Sequence, residues 1–470
     1  MSTIHGFTGP IARKTSFEKF PVVHWIAFAL LVVLVVVAPF PYGAIMPGGQ
    51  AAVSVLALLA AALTLSAEDG SGRRVGAGWI PVAGLAAIGV LGIIQLVPLS
   101  ESLARTLSPD SAQIYHDSNR VLALFGRGGV EPRISIAPTA TRAAVLIILA
   151  YAAAFLAATL LSRGTRQRRF LAVAVFAGAA AQILYALGDR KTTDRIHGAF
   201  VNPNNLAGYL EIALALAFGM IWTELLKNRE RAVGLRDPAA RLEKRAIPLV
   251  RAILVWGVIA TAIGLTRSRG AVAAGIVSTV LMMALSPLHP RVSLKRRRTV
   301  AGTALALFGG LLFVAIAIGN TPLLRFLTSD PREIGSDTRV QLWQLSVDTW
   351  RHFPIFGSGL GTFQEAFRRV QPRDLVGVVE HAHSDFLQLL ATGGLIGAAL
   401  GVLVVASALV LLFRAWLGQQ HREEAGLILG AIGAIVSLVL HGIAEFNFSL
   451  PAIPMTLAVV VGMAWRARNI

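Results

Sequence analysis

Long apolar runs alternate along the chain with short polar or basic connectors. Runs near or above the ~20 residues that a helix needs to cross a bilayer fall near 22–40, 50–66, 77–99, 143–162, 170–188, 205–226, 248–266, 270–286, 300–319, 385–413, 424–444 and 450–465. The pattern predicts an all-α polytopic membrane protein with about twelve transmembrane helices; those near 50 and 270 are the shortest. The first run follows Arg13, Lys14 and Lys19. It is long and no Ala-x-Ala site ends it, so a retained anchor is expected rather than a signal peptide. Two polar stretches interrupt the series, at 100–142 and 320–384. The second is too long for a connector. Residues 337–350 within it place apolar side chains at helical spacing, which predicts a large, partly helical loop. Four regions follow: 1–142, N-terminal spans and first loop; 143–319, central spans; 320–384, the large loop; 385–470, C-terminal spans.

Composition agrees. Apolar residues make up 55% and charged residues 14%, with a mean hydropathy of +0.66. A soluble protein carries roughly 25% charge, so a soluble enzyme, a disordered chain, a coiled coil and a collagen-like chain are all excluded. The lack of cysteine excludes disulfides, thiol catalysis and thiolate metal sites. A net charge of +18 would suggest nucleic acid in a soluble protein. Twelve spans with both termini in the cytoplasm put 26 of the 43 Lys and Arg inside and 17 outside. The basic loops near 163–169, 227–251 and 295–298 all land inside, as the positive-inside rule demands. No nucleic-acid partner is expected, and membrane lipids are. Of the 17 outer basic residues, 16 are Arg and one is Lys191. The chain has only six Lys, so part of this bias is compositional. It still fits an outer face that handles an anion, because the guanidinium fork grips carboxylate or phosphate through two hydrogen bonds.

Four clusters carry candidate chemistry. His383-Ser384 stands where the large loop enters the tenth span, with nine residues between it and Gly394 and twelve between it and Gly397. On a continuous helix the glycines would lie ~16 Å deeper than the histidine, where they admit close approach of another helix. His383 then sits at the water boundary, either capping the helix or accepting a proton from a hydroxyl. His381, His383 and Asp385 alternate, but no further ligand stands near and no metal is assigned. Arg267-Ser-Arg269-Gly270 is a tight connection whose following helix start favours an anion; snorkelling to lipid phosphates is the bland alternative. Asn202-Pro-Asn204 is a turn signal that can cap span six, with Arg195 just before it. Glu211 lies about two turns into that span, where an acid needs a partner such as an arginine. His441 and Glu445, four apart at the outer end of span eleven, suit an interhelical hydrogen bond. The glycine-rich stretch 353–363 lacks the Lys-Ser/Thr of a P-loop and reads as a turn that shapes the site floor.

His383-Ser384 followed at these spacings by Gly394 and Gly397 resembles the signature of the O-antigen ligase and O-antigen polymerase superfamily. The resemblance covers roughly 190–450. It includes Arg195 with Gly198 and Asn202-Pro-Asn204, Ser268-Arg269-Gly270, Arg339, Trp343, Pro354 and Gly357-Ser-Gly-Leu-Gly361. Residues 1–140 show spans without a matching motif. The resemblance implies a C-type multi-span fold in the bacterial inner membrane, with the active site facing the periplasm. The implied donor is a glycan on undecaprenyl diphosphate; the acceptor is a glycan or lipid A–core. Neither cofactor nor metal is implied. Carried over by residue, Arg195 and Arg269 bind the diphosphate and His383 activates the acceptor hydroxyl. Arg267, Arg339, Asn204, Glu211 and His381 are substrate-binding candidates.

A polysaccharide polymerase is the favoured expectation and a ligase the alternative, since the two share a donor site and differ in acceptor. A flippase is disfavoured. It would need charges across the bilayer, whereas the ionisable residues gather at the outer boundary.

Overall fold

The computed structural model describes residues 22–67, 79–188, 195–227, 237–293, 338–373 and 375–467, with isolated positions between 298 and 310. The expected spans become α1 (Val22–Val37), α2 (Pro47–Ser66), α3 (Trp79–Gln95), α6 (Pro138–Leu161), α7 (Thr165–Gly188), α8 (Pro203–Lys227), α9 (Pro238–Leu265), α10 (Arg269–Leu285), α13 (Asp385–Gly418), α14 (Arg422–His441) and α15 (Ala452–Ala467). Between them α4 (Glu101–Leu107) and α5 (Pro109–Leu124) form the first outer loop. The large loop carries α11 (Thr338–His352) and α12 (Phe363–Phe367). The described residues contain no strand.

Among the described residues, eight helices are long and apolar enough to cross a membrane, while α1, α3 and α15 are apolar but shorter. At 16 or 17 residues these three reach ~24–26 Å, a little under the ~30 Å hydrocarbon core. The expected ninth span, near 300–319, lies largely outside the described residues, as do residues 320–337 of the large loop. Arg291 bonds Gln420 at one end of α14 and Arg339 pairs with Glu445 beyond its other end, so the two arginines flank that span from opposite ends of the bundle.

α8 is the axis of the fold. Almost its whole apolar length is buried inside the protein, and it packs against α14, α9 and α10. Small residues permit this. A Cβ on Gly219 would stand 2.2 Å from the carbonyl oxygen of Gly426, and one on Gly430 would meet Leu216 Cα at 3.0 Å. With lipid as apolar as leucine, such close backbone packing is what holds membrane helices together.

One expectation is corrected. The stretch from His383 to Gly397 is not one continuous helix. The 34 residues of α13 would reach ~51 Å if straight, far more than a bilayer core. The helix breaks at Gly394 (φ 65°, ψ −166°). Residues 354–360 of the large loop occupy the break. Leu395 donates to Pro354 O at 2.9 Å and Ile396 to Ile355 O at 3.2 Å. Ser358 and Gly359 donate back to Ala391 O and Thr392 O at 3.1 and 3.0 Å. Gly394 is therefore closest to an extended loop, not to another helix. A Cβ there would lie 2.2 Å from Ile355 O, and one on Gly357 would lie 2.2 Å from the Thr392 carbonyl. Gly397 does face a neighbouring helix, through Leu91 of α3. Gln95, fully buried at the end of α3, stitches the junction: its amide nitrogen donates to Phe356 O (2.6 Å) and Thr392 O (3.0 Å), and its oxygen accepts from Leu360 N (2.8 Å).

Candidate functional site

The starts of α8, α10, α11 and α13 and the end of α14 meet at one end of the bundle. Asn202 caps α8 as its turn signal predicts, its side chain accepting from Asn204 N at 2.9 Å. Ser268 caps α10 by accepting from Ala271 N at 3.3 Å. Ser384 caps α13 by accepting from Leu387 N at 3.4 Å. The last two caps fix the residues beside them, Arg269 and His383.

Glu445 is the hub. It is 1% exposed and lies in the turn after α14. One oxygen accepts from Arg339 Nη2 at 2.6 Å and from the side-chain amide of Asn204. The same Asn204 accepts from Arg195 Nη2 at 2.8 Å, and Arg195 Nε donates to Thr266 O at 2.8 Å, in the turn that carries Arg267 and Arg269. The second oxygen of Glu445 stands 3.7 Å from His383 Nδ1. Burial alone raises the carboxyl pKa, but the His383 imidazole and the Arg339 guanidinium reverse this and hold it below the usual carboxylate value. Three expected site residues, Asn204, Arg339 and His383, thus converge on a carboxylate that is ionised at neutral pH, and a fourth, Arg195, joins them through Asn204.

His383 is held from several directions. Its carbonyl accepts from Trp343 Nε1 at 3.0 Å, and its ring meets Phe446 edge-on at 4.9 Å. Its φ of 47° is in the left-handed region, uncommon outside glycine and persistent only where surroundings over-determine it. Arg267 shares this trait, with φ 52°. Asp385 latches the neighbouring chain: its N–H donates to Gly442 O (2.8 Å) and Glu445 O (3.0 Å), while its carboxylate accepts from Phe448 N at 3.1 Å. His383 and His381 both pack on Phe446, while the Asp385 carboxylate turns away to Phe448 N.

Arg267 is half-buried and Arg269 exposed, on the turn beside Arg195. His381 is brought near but in a supporting role. It stacks flat on Phe446 at 4.3 Å and bonds Gln388 at 3.3 Å. Burial pushes its pKa down to about 4, with the Gln388 hydrogen bond opposing and His383 adding to the fall.

Glu211 lies apart from these residues, in the interior. It is fully buried, and its partners are not arginines. One oxygen lies 2.9 Å from His441 Nδ1 and the other accepts from Ser437 at 3.0 Å. His441 in turn reaches the Ser268 hydroxyl at 3.5 Å, so the Glu211–His441 link props the α10 cap from below. His441 does make the expected interhelical contact. It does not share a helix face with Glu445, because α14 ends at His441. The sequence read Glu445 only as half of an interhelical hydrogen bond with His441, and its role as hub was missed. Gln95 carried no signal at all.

The fold and this site define a multi-pass membrane protein that presents guanidinium groups and a carboxylate-backed histidine at one end of its bundle. Residues 252–402 match the model of a family described as O-antigen ligase. The match runs from α9 through the Arg267–Arg269 turn, α11 and His383 into α13, so the chain carries an O-antigen ligase domain there. The match covers about a third of the chain and points to glycan transfer in general. Arg195, Asn204 and Glu445 contribute to the site from outside the matched segment. No curated protein matches the chain.

Proposed function

We propose that the protein polymerises oligosaccharide repeat units carried on a polyprenyl diphosphate, undecaprenyl diphosphate being the donor lipid. The product would be a cell-surface polysaccharide: O-antigen, capsule or exopolysaccharide. The observation that carries this reading is the convergence of Arg339, Asn204 and His383 on the buried Glu445, with Arg195 joined through Asn204. In the transfer, an acceptor hydroxyl attacks the anomeric carbon of the donor. The new C–O bond forms as the bond to the diphosphate breaks. Arg195 and Arg269 stabilise the charge gathering on the departing diphosphate, electrostatic work of the kind that usually dominates catalysis. The hydroxyl proton passes to His383. Glu445 stands on the Nδ1 side, which leaves Nε2 for the acceptor and compensates the positive ring that results. Hydrogen bonds of this kind are often long before substrate binds, as the 3.7 Å separation is. These residues need no metal for the step.

The reading places the site at the periplasmic face of the bacterial inner membrane. Arg163, Arg169, Lys227, Arg291 and Arg422 gather at the opposite end of the bundle, as the positive-inside rule expects of the cytoplasmic end. With a crossing between Arg291 and Arg339 the spans number twelve and both termini are cytoplasmic.

The test is glycan display in a deletion strain carrying wild type or His383→Ala at equal membrane abundance, with lipid-linked intermediates run alongside. A polymerase predicts single lipid-linked repeats accumulating and long chains lost. Long lipid-linked chains with none on the acceptor would make the protein a ligase acting on lipid A–core or protein. Wild-type behaviour would remove His383 from the site.

A further inference from the structure

The other end of the bundle holds a cavity of about 690 Å³ that the transfer reaction does not use. The α6–α7 turn, the end of α8, the residues after α10 and the start of α14 enclose it. Arg163, Arg168, Arg169, Lys227, Arg291 and Arg422 line it. The acids on its wall are Glu423 and Glu424. Glu424 is spent on Arg168 in a buried pair, and Glu423 is shared by Arg169 and Lys227. Six cations against two carboxylates leave the cavity with a net of four positive charges. The N-termini of both α7 and α14 open at it, and their free N–H groups add to the pull on an anion.

A second cavity of about 440 Å³ shares Arg168, Arg169, Lys227 and Glu423 with the first and continues from it between α7 and α8. Its remaining walls are mostly apolar, with Val173, Phe176, Leu216 and Met220 along the groove; Glu224 adds one further carboxylate at its charged end, which leaves the pair of cavities a net of three positive charges. Val173 and Met220 are apolar yet 61% and 42% exposed, as befits side chains that face lipid. A charged chamber joined to an apolar groove along a membrane helix fits an amphiphile. A soluble anion would use only the chamber.

We infer that this pair of cavities binds an anionic phospholipid from the leaflet at that end, its phosphate among the arginines and an acyl chain along Val173 and Phe176. Basic pockets between transmembrane helices suit such head groups. The lipid would tie the α6–α7 turn to α8 and α14, the two helices whose opposite ends supply Asn204 and lead to Glu445.

The experiment is thermal unfolding of the purified full chain in mixed micelles. The additives are phosphatidylglycerol, phosphatidylcholine, or glycerol 3-phosphate at the same phosphate concentration. A ligand that binds only the folded state raises Tm, so phosphatidylglycerol should raise it well beyond the other two. The double variant Arg163→Gln/Arg291→Gln should lose at least half of that rise while melting like wild type without lipid. Val173→Trp, which fills the groove at an exposed position, should also lose it, through the tail rather than the head. An equal rise from phosphatidylcholine would overturn the proposal. So would an equal rise from glycerol 3-phosphate, which would leave a free-anion site. An undiminished rise in both variants would overturn it as well.

Discussion

Glu445→Gln keeps the shape of the hub and removes its charge. In the wild type one carboxylate oxygen receives Arg339 at 2.6 Å and the Asn204 amide, and the other faces His383 at 3.7 Å. A hydrogen bond to a charged group contributes ~1.5–3 kcal/mol, and making it neutral roughly halves it. The Asn204 bond becomes neutral at both ends and the Arg339 pair loses its countercharge, together ~1.5–3 kcal/mol. Arg339 is 39% exposed, and solvent screening pulls the figure towards about 2 kcal/mol. If that loss falls on the arrangement that receives the transition state, transfer drops about 30-fold, at 1.36 kcal/mol per decade. The assay is transfer from a polyprenyl-diphosphate-linked glycan by protein reconstituted in vesicles, with thermal unfolding of the same preparation. The pH dependence supplies a second reading. The folded pKa of Glu445 is held below its ordinary value, which is ~4.3 in the unfolded chain. The stability from its charge is therefore fully present above that unfolded value and is lost as pH falls through the lower folded one. The Tm gap between wild type and Glu445→Gln should be constant from about pH 7 to about 5 and should shrink below about pH 4. A variant that keeps more than half of wild-type transfer, with a Tm gap indifferent to pH, would refute Glu445 as the hub.

Three further outcomes follow from the same geometry. Gly394→Ala should lower Tm and depress transfer, since its Cβ would collide with Ile355 O at 2.2 Å and the position has φ 65°. Gly397→Ala, whose nearest atom would be Leu91 Cδ2 at 3.4 Å, should be much milder, and equal effects would argue against the seated loop. Gln95→Leu removes three buried hydrogen bonds and leaves their partners unmatched, a loss of about 3 kcal/mol or more, read as an earlier thermal transition. Arg269→Ala should weaken donor binding strongly and Arg269→Lys should restore it only in part, because an ammonium cannot make the bidentate contact; full rescue by lysine, measured as donor affinity, would reduce its role to charge alone.

The apolar runs determined the class of this protein and most of its helices. A 20-residue apolar run in lipid has one way to satisfy its backbone, so α2, α6–α10 and α14 could be read directly. The cap at Asn202 was legible too, because capping is a local hydrogen bond, here between residues two apart; at the start of α13 the sequence offered His383 as the cap, and the structure gives that role to Ser384. The candidates Arg195, Asn204 and His383 stood out as polar residues where spans meet water, and Arg339 through the family resemblance. Their common partner was hidden, since Glu445 lies 241 residues from Asn204 and 106 from Arg339, and no local rule joins positions so far apart. The same distance concealed Gln95, an ordinary amide at the end of a short helix until residues 356–360 and Thr392 arrive beside it. Glu211 shows the converse: the sequence showed that the acid needed a partner, and only the packing of α14 on α8 made that partner a histidine. The break at Gly394 was likewise a tertiary decision. Its glycines permit a break or a close helix crossing equally well, and the backbone of residues 354–360, filling the gap with its own hydrogen bonds, selected the break.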